Sequence, residues 1–263
     1  MHKTLQTGLS WVTALGVDPV KSLRALRNVP VTIREHLALR RDNAKQSQPW
    51  RIDLASPNFT DRDEPGGITS GHYFHQDLLV ARRIYSRNPK KHVDIGSRID
   101  GFVAHVAVFR EIEVFDIRPA PARVENVVFR QRDITSDDDE LIDYCDSISS
   151  LHALEHFGLG RYGDPLDVNG YEKGFAKIAR MLESRGLLYL SFPIGEERIE
   201  FNGQRVFSLQ RAFELFADDF DLDGFSYIDD AGDLHESVEL SDDDITNNLG
   251  LMYGCAIFEL RKK

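Results

Sequence analysis

His92-Val93-Asp94-Ile95-Gly96-Ser97-Arg98-Ile99-Asp100-Gly101-Phe102 decides how the rest of the chain is read. A short apolar run ends in an acid, turns through glycine, and enters a helix-like stretch over 101–110 that includes Phe102, Val103, Val106 and Ala107. Strand, tight turn and helix form the opening unit of a nucleotide-binding α/β sheet. Glycine lets the backbone approach a ligand, and a helix start presents unpaired N–H groups to an anionic one. The weight of this unit depends on the elements downstream of it and on their spacing.

Downstream, the pattern alternates. Ile112–Asp116 reads as a second strand ending in an acid, Val127–Phe129 as a third leading to Asp133-Ile134, and Ser147–Leu151 as a fourth. An acidic surface run, Asp137-Asp138-Asp139-Glu140, lies before the fourth strand. A helix from Tyr171 to Leu182 leads through Arg185-Gly186 into a fifth strand, Leu187–Phe192. Strands alternating with helices of this length call for a mostly parallel sheet covered on both faces. After Pro193, Arg198–Phe207 alternates around Asn202-Gly203, a β-hairpin signal. A helix Leu209–Phe216 and terminal strands Phe220–Tyr227 and Gly254–Leu260 complete the pattern, with the acidic Asp242-Asp243-Asp244 between them read as solvated loop.

Upstream, Gly71-His72-Tyr73-Phe74-His75-Gln76-Asp77 opens a helix through Leu78, Leu79, Ala81, Ile84 and Tyr85, placed to line the rim of a nucleotide pocket. Residues 46–70 are polar and contain Pro49, Pro57, Pro65 and Gly66-Gly67, so they read as linker. Before them, Leu9–Leu15 and Val20–Leu26 are helix-like, with a second start after Pro30. The expected division is 1–70, a basic helical arm and linker, and 71–263, the main domain.

Composition narrows the function classes. The 263 residues are 41% hydrophobic, enough for one substantial core. The net charge of −11 argues against general nucleic-acid binding. The absence of a long apolar run, a signal-like start or metal-spaced cysteines makes a soluble cytoplasmic protein the base expectation. Residues 1–45 nonetheless carry eight basic side chains against three acidic ones. The arm is expected to be a helical cap with its arginines in water. The alternative is peripheral contact with an anionic membrane face.

The acids fall where a donor molecule would need them. Asp116 follows Asp94 by 22 residues, a spacing at which a strand-end acid accepts from ribose hydroxyls. Asp133 ends the third strand, where a carboxylate can meet an adenine amino group while Ile134 covers the base. With Leu151-His152-Ala153-Leu154-Glu155-His156 and Arg185-Gly186-Leu187-Leu188-Tyr189-Leu190-Ser191-Phe192-Pro193, this order resembles a class I S-adenosylmethionine-dependent methyltransferase over roughly 90–263. The resemblance implies a Rossmann-like α/β fold: a mostly parallel seven-stranded sheet with an antiparallel last strand and helices on both faces. More narrowly, the 71–77, 94–98 and 151–164 stretches resemble methyltransferase-like proteins associated with bacterial surface-polysaccharide assembly.

The same resemblance implies roles. Gly96 and Ser97 would approach the methionine portion of S-adenosylmethionine, Asp94 would orient their turn, Asp116 would hold the ribose, and Asp133 with Ile134 the adenine. Tyr73, Gln76, Gly101, Ile117 and Leu151 complete the expected cofactor-contacting set. Arg98 stands where the family has a glycine; it either pairs with the methionine carboxylate or crowds the pocket.

Methylating an alcohol requires removal of its proton by a base or a metal. His152, Glu155 and His156 follow the fourth strand and would share one face of a helical turn. His156, ahead of His152, is the expected base, with Glu155 steadying the imidazolium, and Arg161, Tyr162 and Asp164 are expected to bind sugar hydroxyls. The five residues also spell H-x-x-E-H, a zinc-peptidase pattern, but Gly158 and Gly160 break any helix carrying it. A divalent cation assisting transfer is the lesser alternative to a histidine base. The resulting expectation is an O-methyltransferase acting on a sugar hydroxyl of a surface glycan or glycolipid precursor, with 198–207 and 64–76 forming a lid. The alternatives are methylation of another small molecule, or a non-catalytic partner in glycan assembly, for which Arg98 argues.

Overall fold

The computed structural model describes residues 11–120, 122–136 and 141–263. The acidic run 137–140 and the chain before residue 11 lie outside the described residues. The chain divides into two compact units, Met1–Ile68 and Thr69–Lys263.

In the first unit residues 11–14 are helical, and a separate helix, α1 (Pro19–Asn43), joins the expected Val20–Leu26 piece to the second start after Pro30 and carries Pro30 in its interior. Asp18 caps it, accepting from the Lys21 N–H at 2.9 Å, and proline at the first helical position has no N–H to lose. Pro30 removes a single backbone bond, which a helix of 25 residues tolerates. Leu23, Leu26, Ile33, Leu37 and Leu39 are half or more exposed. Asn28 is the buried residue of α1, and its side chain donates to the Phe59 carbonyl at 2.9 Å.

The second unit is an eight-stranded sheet in the order β3-β2-β1-β4-β5-β10-β8-β9. The strands are β1 (His92–Ile95), β2 (Ile112–Asp116), β3 (Val127–Gln131), β4 (Cys145–Leu151), β5 (Leu182–Ile194), β8 (Phe220–Ile228), β9 (Leu234–His235) and β10 (Gly254–Lys262). β1 to β5 run parallel, while β10 is antiparallel to both β5 and β8. The sheet thus has one strand more than expected: β9 adds two residues at the edge, paired with Tyr227 and Ile228. A separate hairpin, β6 (Arg198–Glu200) and β7 (Gln204–Val206), turns at the expected Asn202-Gly203.

The central strands are buried on both faces, as strands covered twice must be, although β1 and β4 carry His92, Asp94, Ser147 and Ser149 on one of them. On one face α2 (His72–Arg87) and the short α3 (Ala104–Ala107) bury Leu79, Val80, Ile84, Val103 and Val106 against Ile112, Val114 and Ile257. On the other, α4 (Gly170–Met181) and α5 (Leu209–Phe216) place Phe175, Ile178, Leu209 and Phe216 over Val93, Ile148, Leu190 and Phe258. Truncating any one of these large side chains to alanine is expected to cost about 2–5 kcal/mol.

Three local departures have physical causes. The helix expected over 101–110 is a π-turn at Ile99–Val103 followed by the single turn of α3. Gly101 leaves helical geometry there, and a Cβ on it would lie 2.6 Å from Asp77 Oδ2. β5 begins five residues earlier than the apolar pattern indicates, with a register shift against Cys145 and Ser147 that absorbs Arg185-Gly186. Asp242-Asp243-Asp244 opens a short helix, α6 (Asp242–Thr246), because Ser241 and Asp244 form a reciprocal capping box.

Candidate functional site

The turn after β1 is sewn in place by its own acid. Asp94 is fully buried; its carboxylate accepts from the Ser97 N–H (3.0 Å), the Ser97 hydroxyl (2.6 Å) and the Ser149 hydroxyl on β4 (2.6 Å). Ser97 Oγ in turn accepts from the Leu151 N–H at 3.1 Å. Burial raises Asp94 to about 7, against the pull of these hydrogen bonds. Gly96 turns with φ +74°, and a Cβ there would meet Ala153 Cβ at 2.9 Å, so this position requires glycine.

Beyond the turn lies an open cleft at the carboxyl ends of β1, β2 and β3. Its walls include Gly96, Asp116, Ile117, Asp133, Ile134 and Tyr162, with His156 and Asp164 across from the strands. Open α/β sheets bind ligands at this place. Asp116 and Asp133 therefore share one hollow, while Asp94 lies behind the turn with no exposed surface.

Each cleft acid is held by a residue two positions on. Asp116 accepts from the Arg118 N–H at 2.8 Å and from its guanidinium Nε at 2.9 Å, and that guanidinium stacks over Tyr162, 4.4 Å from the ring centre. Asp133 accepts from the Thr135 N–H (2.8 Å) and hydroxyl (2.7 Å). Arg118 and Thr135 also line the cleft; the sequence offers no signal for either beyond its nearness to an acid.

Several expected cofactor residues lie off this cleft. Gln76 is buried, accepting from the Ser191 hydroxyl at 2.6 Å and donating to Asp77 at 3.1 Å. Leu151, at the end of β4, and Ser97, in the turn after β1, are buried. Arg98 makes two bonds to Asp100 (3.1 and 2.9 Å) and lies 5.2 Å from the Tyr73 ring centre, so it neither fills the cleft nor crowds it. Gly101 abuts Asp77, and the half-exposed Tyr73 packs on His152, with ring centres 4.9 Å apart.

The His152-Glu155-His156 group does not share a helix face. His152 adopts a left-handed backbone (φ +50°), and only Leu154–His156 forms a 3₁₀ turn. Both imidazoles nevertheless approach the same Glu155 oxygen, Oε1. His156 reaches the cleft: its Nδ1–H donates to the Gly203 carbonyl at 2.7 Å, leaving Nε2 as an acceptor 3.8 Å from Glu155 Oε1. His152 is bonded through Nδ1 to Glu155 Oε1 at 2.7 Å, away from the cleft.

Burial lowers the pKa of His156, which Glu155 only partly offsets. Burial acts the same way on His152, but the Cys255 sulfur and Glu155 outweigh it and raise that ring well above its usual range. Glu155 itself is fully buried. That alone would raise it, yet His152 beside it holds the carboxyl below its ordinary value.

The remaining residues brace the approach. Arg161 Nη1 donates to the same Gly203 carbonyl at 2.9 Å, so the hairpin turn is strapped to the His156 wall. Asp164 accepts from the N–H groups of Gly158 (2.8 Å), Gly160 (3.2 Å) and Tyr162 (3.2 Å), which shapes the loop rather than leaving its carboxylate free. Arg205, on β7 and buried, donates to the carbonyls of Phe157 (2.6 Å) and Val168 (3.0 Å). A sequence reading has no means of marking that arginine.

The sheet order and the cleft define the Rossmann-like fold of class I methyltransferases. The N-methyltransferase NodS from Bradyrhizobium japonicum WM9 matches with a TM-score of 0.50 at 11% identity, over 74% of this chain and 99% of that one. The same protein in complex with S-adenosyl-L-homocysteine gives 0.47 at 12% identity, over 86% and 97%. An O-methyltransferase from a trans-AT PKS multienzyme of Brevibacillus brevis, also with S-adenosyl-L-homocysteine, gives 0.49 at 17%, over 72% and 71%. No curated protein sequence matches the chain. Residues 122–254 match the family described as Caenorhabditis protein of unknown function, DUF268, and the chain belongs to that family.

Proposed function

We propose that this protein is an S-adenosylmethionine-dependent O-methyltransferase acting on a hydroxyl of a sugar in a bacterial surface glycan or its precursor. The observation that carries the reading is one cleft lined by Gly96, Asp116, Asp133 and Ile134 together with His156. The residues fit the donor. Apolar Ile117 and Ile134 suit the faces of a base, and the two acids suit ribose hydroxyls and an amino group. When bound, S-adenosylmethionine supplies a methyl group made electrophilic by its sulfonium.

The chain's own task is then to place an acceptor oxygen and remove its proton. His156 is neutral near pH 7 because burial lowers its pKa, and Nδ1–H is committed to Gly203. The acceptor proton therefore moves to His156 Nε2. Glu155 Oε1, 3.8 Å away, favours the imidazolium that results. Tyr162 and Arg161 at the rim offer an aromatic face and a cation to a polyhydroxylated acceptor. NodS, which shares the fold, is an N-methyltransferase; the assignment to oxygen comes from the need of an alcohol for the base that His156 provides.

Calorimetry with S-adenosylmethionine, followed by radiolabelled methyl transfer into nucleotide sugars and lipid-linked saccharides, tests the reading. Saturable binding and label in a saccharide are expected; no binding removes it. A second reading, a fold partner without turnover, is favoured by the Arg118 guanidinium occupying Asp116, and absence of donor binding would support it. We also assign α1, with its exposed leucines and interleaved arginines, to contact with an anionic bilayer. Among the described residues no helix is long and apolar enough to cross a membrane. Recovery in liposome flotation is expected to fall when Arg24, Arg27 and Arg34 are changed together to Glu; equal recovery counts against the assignment.

A further inference from the structure

We propose that His72, His152 and Cys255 form a three-ligand site for a divalent transition metal, with zinc the best fit and a fourth position left for water or a ligand. The three residues come from the first turn of α2, the end of β4 and the start of β10. Their ligand atoms all lie within 4.8 Å of one another. Around tetrahedral zinc, with bonds of about 2.0–2.1 Å to nitrogen and about 2.3 Å to sulfur, such atoms stand roughly 3.3–3.6 Å apart. Closing that difference asks for side-chain adjustment of at most about 1.5 Å, and His72, only partly buried, is the ring with room to move.

His152 supplies the independent sign of a ligand. Its side chain is 3% exposed, yet Nε2 is buried with no hydrogen-bond partner. A buried polar atom without a partner is costly and calls for an explanation. The other ring nitrogen donates to Glu155 Oε1 at 2.7 Å, and Glu155 is fully buried with its second oxygen unpartnered. A carboxylate on the far side of a metal-binding imidazole fixes the tautomer that leaves the near nitrogen's lone pair free and raises its basicity. That is the arrangement around His152, and it gives the buried Glu155 a role.

The donor set chooses the metal. Two imidazoles and one thiolate suit zinc, whereas magnesium and calcium require oxygen ligands. Cys255 has no stronger commitment: beside His152, its sulfur makes long contacts, 3.8 Å to Gln76 Oε1 and 3.5 Å to the Ala256 carbonyl. The scaffold is held at both ends. Arg83 and Arg87 of α2 pair with Glu259 of β10 at 3.0 and 2.8 Å, and the His152 N–H donates to the Ser191 carbonyl of β5 at 3.0 Å. None of the three ligands lines the cleft, so the site stands whether or not the chain transfers a methyl group. It also differs from a zinc peptidase, since His156 of the H-x-x-E-H pattern is bonded to Gly203 and takes no part.

The test is titration of the chelator-treated full-length chain with Co²⁺, then Zn²⁺. One equivalent of Co²⁺ is expected to give the visible spectrum of a four-coordinate ion with a thiolate-to-cobalt band in the near ultraviolet, and Zn²⁺ is expected to abolish both. The chain has two cysteines, Cys145 and Cys255. Cys145→Ala is expected to keep the band and Cys255→Ser to lose it. The Cys145→Ala result assigns the sulfur even if Cys255→Ser fails to fold. Glu155→Gln is expected to weaken Zn²⁺ binding by roughly 10–100-fold while leaving the band in place. No cobalt spectrum from the wild-type chain, an octahedral spectrum without the thiolate band, or a band that survives Cys255→Ser overturns the proposal.

Discussion

Asp94 and Asp116 end neighbouring strands, yet their surroundings differ in kind. Asp94 has no exposed surface and receives three hydrogen bonds that stitch β1 to its turn and to β4. Asp116 opens on a cleft, and its partner is the flexible, partly exposed guanidinium of Arg118. The first carboxylate is consumed in holding the site's shape. The second is held by a group that can swing away, because an ion pair with this much solvent contact contributes only about 0–1 kcal/mol. The same division separates the two histidines that flank Glu155. Both are buried, but His156 lines the cleft and His152 does not. Residues on the seam should therefore govern stability, and those on the cleft should govern binding and turnover.

The largest effect is expected at the boundary between the two regions. His156→Ala should lower the methyl-transfer kcat by roughly 10²–10⁴-fold, the usual worth of a general base, with S-adenosylmethionine affinity by calorimetry nearly unchanged. For the wild type, the acid limb of kcat/KM should lie below 6.5, the ordinary histidine value, because the pKa of His156 is lowered. A variant that still turns over normally removes His156 as the base.

A seam residue comes next. His92 is buried between Ser147 Oγ (2.8 Å) and Ser149 Oγ (3.1 Å), and burial pushes it down to about 3. The unfolded chain takes up that proton near 6.5 and the folded one does not, so His92 withdraws stability as pH falls from 6.5 towards 3. Asp94, raised to about 7, acts in the opposite sense and withdraws stability as pH rises from 3.8 to 7. His92→Asn should therefore flatten the loss between pH 6 and 4, about 2–3 kcal/mol, in urea unfolding followed across pH. An unchanged slope would mean that His92 is not the acid-sensitive group of the seam.

The cleft acid comes third. Asp116→Ala should weaken S-adenosylmethionine binding by about 10–100-fold, the loss of hydrogen bonds to a charged group, while Tm shifts little. A collapse of Tm would erase the contrast between the two carboxylates. The smallest effect should have the opposite sign. Arg118→Ala frees Asp116 and should tighten donor binding by no more than about fivefold, since it removes a pair whose guanidinium is half exposed. Weaker binding would show that the guanidinium belongs to the donor site instead of competing with it.

The order of strands, the acid at the end of β2, the hairpin around Asn202-Gly203 and the glycine turn were all legible in the chain, because each arises from local spacing, apolar periodicity and turn chemistry. So was the pairing of Asp116 and Asp133 in one hollow, since parallel strands deliver their carboxyl ends to one edge of a sheet. Side-chain commitments were not. Gln76 looked available on a helix face until Ser191, 115 residues away, claimed its oxygen. His152 and His156 looked like one helical face until a left-handed residue turned them apart. Arg205 and Cys255 carried no local mark at all. Local sequence set the backbone's repeating geometry, which depends on neighbours within a few positions. Tertiary structure alone decided which polar atoms meet, because burial forces each to find a partner wherever the packed chain supplies one.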